Sequence, residues 1–429
     1  MEKIVIRGGR ALNGAVSIGG MKNAALPVLF ACILVKDKCV IENVPDVRDV
    51  AVTLDILSRM GAEVRRINKN SVRVDCTHLK GGTSDYELVR KIRASYYLLG
   101  AELGRFHRAH VGMPGGCNFG VRPIDQHIKG FEALGGHVDC GSGYVDVDAT
   151  ASLCGSNIYF DVVSVGATIN VMLSAVLAEG TTVIDNAAKE PHIVDVANFL
   201  NTCGADIRGA GTDVIKINGV ESLHGCTYAI IPDMIEAGTF MACAAVAGGE
   251  VHIQNVIPKH LESISAKMRE MNVQIEECDD SLIVRSDGCL SPISLKTLPY
   301  PGFPTDMHPQ MSVLMCCASG ISYVREGVFD NRFRYVEELS RMGAKIKVDG
   351  KTAIIEGGNP LSGAKVTSVD LRAGAALIIA GLVAEGKTEI TEINRIERGY
   401  DNIVGKLKDL GADIRKVYVP DDASMDIAN

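Results

Sequence analysis

The run Pro114-Gly115-Gly116-Cys117-Asn118-Phe119-Gly120-Val121-Arg122-Pro123 holds the residues best suited to chemistry. Its glycines let the backbone bend sharply and approach a ligand closely, so Cys117 is expected on an exposed loop. Arg122 presents a planar set of donors matched to phosphate or carboxylate. A thiol beside an anion-binding guanidinium reads as an active site. Rival motifs are incomplete or missing. Gly115-x-x-x-x-Gly120 continues with Val121-Arg122 where a Walker loop needs Lys-Ser/Thr. There is no Gly-x-Gly-x-x-Gly in a dinucleotide-binding context, no Gly-x-Ser-x-Gly elbow and no His-Glu-x-x-His. His127, one helical turn beyond Pro123, suits either a site-lining or a structural role.

Thirteen cysteines form no Cys-x-x-Cys pair and no zinc-ligand spacing. Most, such as Cys32, Cys243, Cys316 and Cys317, read as small buried thiols in a reducing cytosol. The 429 residues predict two or three domains. With 47% apolar and 22% charged residues, the composition is that of an ordinary globular protein. A formal net charge of −8 argues against a nucleic-acid partner, so an anionic small molecule must be drawn in by a local basic cluster. No apolar run reaches the roughly 18 residues of a membrane span. Met1–Ile6 reads as a strand without a signal-peptide core, which points to a cytoplasmic location.

The elements that must position these residues recur about every 70 residues. One marker is Leu-x-Gly, at Leu12/Gly14, Leu79/Gly81, Leu153/Gly155, Leu223/Gly225 and Leu361/Gly363, with Leu290/Pro292 as the degenerate copy. A second is a helix end running into a strand, as in Met60-Gly61-Ala62, Leu134-Gly135-Gly136, Cys203-Gly204-Ala205, Met271-Asn272-Val273, Met342-Gly343-Ala344 and Leu410-Gly411-Ala412. Glycine there is helix C-cap chemistry. Each unit holds one helix apolar nearly all round, such as Ala24–Val35, Ala167–Ala178 or Ala373–Ala384, and one amphipathic helix, such as Val47–Met60 or Tyr335–Met342. Helices without a polar face are buried. Short alternating strands, such as Ser71–Asp75 and Thr352–Glu356, flank them. The six units predict two domains of three, with the N-terminal segment closing the sheet of the last unit.

Polar residues gather where the helices start. The apolar helices begin at Lys22-Asn23, Arg93, Ser164-Val165, Asp233, Asp306 and Arg372, and the amphipathic ones near Asp46-Arg48, Cys117/Arg122, Glu190, Lys259, Asn331-Arg332 and Arg398. Helix N-termini offer free N–H groups and partial positive charge to anions. A symmetric arrangement would turn several toward a common cleft that suits a multiply charged anion. Simpler roles compete: Asp233 and Asp306 as N-caps, and Arg93 and Arg372 as surface arginines.

The chain resembles the UDP-N-acetylglucosamine 1-carboxyvinyltransferases, enolpyruvyl transferases of bacterial peptidoglycan synthesis, over essentially its full length. The matching motifs are Gly20-x-Lys22-Asn23-Ala24-Ala25, Pro114–Pro123, Asp161-x-x-Ser164-Val165-Gly166-Ala167-Thr168 and Phe303-Pro304-Thr305-Asp306-Met307. Val328-Phe329-x-Asn331-Arg332-Phe333, Asp370-Leu371-Arg372-Ala373 and Arg398-Gly399-Tyr400 complete the set. The resemblance implies an inside-out α/β barrel of two domains, each of three βαβαββ-like repeats with buried central helices. Residues 22–231 would form the first domain, with 1–21 and 232–429 forming the second. It implies transfer of the enolpyruvyl group of phosphoenolpyruvate to a sugar 3′-hydroxyl through a tetrahedral ketal, with no metal and no cofactor.

By the same resemblance Asp306 is the base, and Cys117 is a general acid that can also form a covalent adduct. Lys22, Arg122 and Arg398 hold the phosphate, with Arg332 and Arg372 at the pyruvyl end. Asn23, Arg93, Pro123, Ile124, Asp125, Ser164, Val165, Asp306 and Val328 contact the UDP-sugar. A monomer or weak homo-oligomer is expected. Val162 stands where some members carry lysine, His192 where an acid is common, and Phe119 where a smaller aliphatic is usual. The 3-phosphoshikimate transferases share the chemistry, but that family does not use a thiol-bearing loop.

Overall fold

A computed structural model describes residues 2–81, 86–113, 123–141, 143–149 and 152–418. The chain divides into two compact units, one of residues 19–233 and 299–302, the other of 1–18, 234–298 and 303–429. The expectation of buried helices inside and sheets outside is met in both.

In the first unit the helices Lys22–Ala31, Tyr97–Phe106 and Val165–Ala175 pack together. Their buried residues run almost unbroken, as in Ala167–Ala175, because the sequence offers no polar face to turn toward water. Around them lie sheets built on one plan. Asn157–Tyr159 pairs parallel with Thr181–Asp185, which pairs antiparallel with Val214–Asn218, and that in turn with Asp206–Arg208. The amphipathic helix Pro191–Thr202 joins the second strand to the hairpin. Thr227–Ala229 plays the parallel edge role beside Lys38–Glu42. The sheet of Arg108–Gly112, Tyr144–Asp148 and His137–Gly141 has three strands among the described residues.

The second unit repeats the plan around the helices Met234–Ala247, His308–Cys317 and Leu371–Val383. In its last sheet Glu2–Arg7 lies between Lys387–Thr391 and Asp413–Tyr418, where the other four-stranded sheets place the second hairpin strand. The chain start thus supplies the strand that the sixth repeat lacks.

Both sequence markers have steric causes. The residue after each amphipathic helix is left-handed at all six repeats, with Gly61, Gly135, Gly204, Gly343 and Gly411 near φ +100° and Asn272 at +72°. A left-handed residue lets the main chain double back to meet the helix's last carbonyls, and only Gly or Asn adopts it cheaply. The Leu-x-Gly glycine answers to space at most repeats, while Gly14 is itself left-handed at φ +122°. A Cβ on Gly155 would sit 2.3 Å from the Thr181 carbonyl oxygen, and one on Gly363 2.5 Å from that of Lys387.

Candidate active site

Each unit places its own share of the predicted residues. In the unit holding residues 303–429, Asp306 lies in the tight turn Thr305–Met307 that leads into His308–Cys317. It is not the N-cap of that helix, a position held by Met307. Its carboxylate is instead clamped by two cations. Arg372 donates from Nε and Nη2 to Oδ2 at 3.2 and 3.1 Å, and Arg332 Nη2 donates to Oδ1 at 3.3 Å. Arg332 also donates to the Thr305 carbonyl at 3.1 Å. Both arginines are buried, Arg332 to 1% exposure and Arg372 to 3%, while Asp306 keeps 29% of its side chain accessible. The surface-arginine reading therefore fails for Arg372. A reachable carboxylate held by buried guanidinium groups is fixed in direction, because neither arginine can swing into water.

The helix Leu371–Val383 aims Arg372, and Asp370 caps it by accepting from the main-chain N–H of Arg372 and Ala373, each at 2.9 Å. The Arg372 guanidinium lies 5.3 Å from the Tyr400 ring centroid. Tyr400 is held in turn by Thr239 at 2.9 Å and Gln310 at 3.3 Å.

Beneath Asp306, buried Glu326 accepts from His308 Nδ1 at 2.8 Å, Thr305 Oγ1 at 3.1 Å, and the Val328 and Phe329 N–H groups at 2.8 and 3.0 Å. Burial pushes this carboxyl upward, but the His308 hydrogen bond and charge and the two main-chain donors outweigh it and hold it at about 2. Burial lowers His308, whose Nε2 faces the Tyr335 hydroxyl at 2.9 Å. An ionised Glu326 thereby ties the turn of Asp306 to the loop carrying exposed Val328. Arg398 is half-buried in the turn 396–399, ahead of the helix Ile403–Asp409 rather than at its start.

In the other unit Lys22 and Asn23 open the helix Lys22–Ala31, and Lys22 pairs with buried Asp49 at 3.2 Å. Ser164 caps Val165–Ala175, its hydroxyl accepting from Ala167 N–H at 3.3 Å, with Val165 the first helical residue. Against that end lies His127, close enough that a Cβ on Gly166 would stand 2.8 Å from Nε2. His127 is 6% exposed and is pushed down to about 4, first by burial and then by the Arg93 charge. The neutral imidazole rests on Tyr96, whose ring also carries the Arg93 guanidinium at 4.6 Å. Pro123 and Ile124 lead into Asp125–Ala133, whose first residue is Asp125. Val162 is exposed and His192 buried. Cys117, Phe119 and Arg122 lie outside the described residues.

Sequence reasoning missed Asp49, Glu326 and His308. Each reveals itself only through a partner distant in the chain, 18 residues away for Glu326 and His308. Asp370 stood in a quoted motif, but its capping role did not. The expectation that nearly all cysteines are buried is also corrected. Cys140, Cys154, Cys278 and Cys289 are exposed, and Cys317, the last residue of the helix His308–Cys317, is only half-buried.

A profile of EPSP synthase (3-phosphoshikimate 1-carboxyvinyltransferase) matches residues 6–407. A UDP-N-acetylglucosamine 1-carboxyvinyltransferase of Caldanaerobacter subterraneus is 55% identical over 97% of this chain and 100% of its own. One of Clostridium botulinum is 56% identical over 96% and 99%. Among solved structures, the enolpyruvyl transferase NikO from Streptomyces tendae superposes with a TM-score of 0.88 at 26% identity, covering 98% of this chain and 99% of that one. Matched almost end to end by this profile and more than half identical to these relatives, the chain belongs to the EPSP synthase family of enolpyruvyl transferases, among its UDP-N-acetylglucosamine 1-carboxyvinyltransferases.

Proposed function

We propose that this protein transfers the enolpyruvyl group of phosphoenolpyruvate to the 3′-hydroxyl of UDP-N-acetylglucosamine and releases phosphate, the first committed step of peptidoglycan synthesis. The observation that carries the reading is Asp306, a reachable carboxylate oriented by Arg372 and Arg332. Asp306 takes the proton of the attacking hydroxyl. Cys117 gives a proton to the phosphoenolpyruvate methylene, which makes C2 electrophilic. The C–O bond to the sugar then forms, giving a tetrahedral ketal. Loss of a methyl proton and of phosphate from that ketal restores the double bond, so the atoms balance without redox chemistry.

Lys22, Arg122 and Arg398 bind the phosphate, and Arg332 and Arg372 serve the pyruvyl carboxylate. Fixed cations stabilise the crowded anion better than water does, because they need no reorganisation. Asn23, Arg93, Pro123, Ile124, Asp125, Ser164, Val165 and Val328 contact the nucleotide sugar. The reaction as written calls on no cofactor or metal. No helix among the described residues is long and apolar enough to cross a membrane. We place the enzyme in the cytoplasm, as a monomer or weak homo-oligomer.

A coupled phosphate assay tests this reading. Phosphate should appear only when phosphoenolpyruvate and UDP-N-acetylglucosamine are supplied together, and Cys117→Ala should abolish it. Turnover with shikimate 3-phosphate in place of the nucleotide sugar would overturn it.

A further inference from the structure

Three thiols far apart in sequence converge in the unit of residues 19–233. Cys39 lies on the strand Lys38–Glu42, Cys203 ends the helix Pro191–Thr202, and Cys226 precedes the strand Thr227–Ala229. Their sulfur atoms all lie within 4.8 Å of one another, and those of Cys203 and Cys226 are 3.4 Å apart. Cys39 and Cys203 are fully buried and Cys226 half-buried, so the cluster has one side open to solvent. Buried Cys32 is not part of this cluster, and its thiol donates to the Val28 carbonyl at 3.4 Å.

The repeats provide an internal control. Backbone hydrogen bonds identify the equivalent positions: His224 N–H to Cys203 O and Val40 N–H to Cys226 O recur as Cys154 to Leu134 and Val183 to Ser156. They recur again as Ser362 to Met342 and Glu389 to Ala364, and as Ser291 to Met271 and Tyr323 to Ile293. The three positions held by Cys39, Cys203 and Cys226 are thus Thr182, Leu134 and Ser156 at one junction. At the next they are Thr388, Met342 and Ala364, and at a third Ser322, Met271 and Ile293. Two of these junctions fill the corner with one large apolar residue and two small neighbours, and the third with Met271 and Ile293 beside Ser322. Of these four junctions, the one between the third and first repeats alone carries cysteine at all three positions.

We propose that Cys39, Cys203 and Cys226 form a binding site for a thiophilic d10 metal ion such as zinc, with a water on the open side as the remaining ligand. Sulfurs on a tetrahedral zinc, at about 2.3 Å from the metal, stand about 3.8 Å from each other, within the spread seen here. Each thiol that ligates releases its proton to solvent, and no electron transfer is involved. A disulfide would use two of the three sulfurs and leave the convergence of the third, Cys39, without a role. Bound metal would staple the third repeat to the first, at the corner where the chain returns to close the unit.

The test compares full-length protein with a Cys39→Thr/Cys203→Leu/Cys226→Ser variant, which carries the residues of the equivalent junction. Both are prepared under reductant with Cys140, Cys154, Cys278 and Cys289 changed to serine, then dialysed against zinc. The intact cluster should retain about one more zinc per chain than the variant. It should melt at a higher temperature with zinc than without, and show a thiolate-to-cadmium charge-transfer band that the variant lacks. Should the triple variant fail to melt cooperatively, Cys226→Ser at the half-exposed position takes its place. Equal zinc retention by the folded variant would overturn the proposal. So would peptide maps showing Cys203 and Cys226 joined as a disulfide in protein handled without reductant.

Discussion

Asp306 bears the most direct prediction at the scale of single residues. Asparagine preserves its shape and its acceptor toward Arg332 but cannot take a proton. Asp306→Asn should lower kcat by roughly 10²–10⁴-fold, the usual worth of a positioned base. A rate within tenfold of the parent would show that another group accepts the hydroxyl proton. His127 behaves differently. Held at about 4 by burial and Arg93, it stays neutral through the physiological range and contributes no charge change there.

Elements set two further expectations. Glu102 is buried at 1% exposure on the helix Tyr97–Phe106, where burial raises its carboxyl to about 8 against the opposing His110 main-chain N–H. The folded protein therefore binds a proton that the unfolded chain, with an ordinary carboxyl, releases. Stability from this group is full below about pH 4.5 and is lost as pH rises toward 8, at about 1.4 kcal/mol per pH unit. Glu102→Gln removes that slope. Its melting temperature should gain on the parent's steadily from pH 5 to pH 8, and a pH-independent difference would refute the assignment. Gly155→Ala drives a methyl into the Thr181 backbone, and neither strand can yield without breaking its pairing. A loss of about 2–4 kcal/mol is expected in denaturant unfolding. Gly61→Ala, which strains only a left-handed turn facing open space, should cost about 1 kcal/mol.

At the scale of the whole molecule, the proposed reaction predicts selective chemistry among thirteen thiols. Cys140, Cys154, Cys278 and Cys289 are exposed, so accessibility alone would spread an electrophile over several sites. An epoxide that mimics phosphoenolpyruvate should nevertheless label Cys117 first, because the phosphate-binding residues concentrate the anion beside it. Peptide mass mapping checks this. A label shared equally with the exposed cysteines would count against Cys117 as the active-site thiol.

The sequence by itself determined the repeat count, the buried helices and the helix-end turns. Those features rest on local rules: an all-apolar helix must be buried, and Gly or Asn must stand where φ is positive. It also marked Asp306, Arg332 and Arg372 through motifs, without showing that they touch. Only the tertiary structure paired Asp306 with two buried arginines, Lys22 with Asp49, and Glu326 with His308. It alone drew Cys39, Cys203 and Cys226 into one cluster. The reason is physical. Periodicity reports which face of an element is buried, whereas which polar group answers which depends on how distant elements are brought together, and no local pattern encodes that.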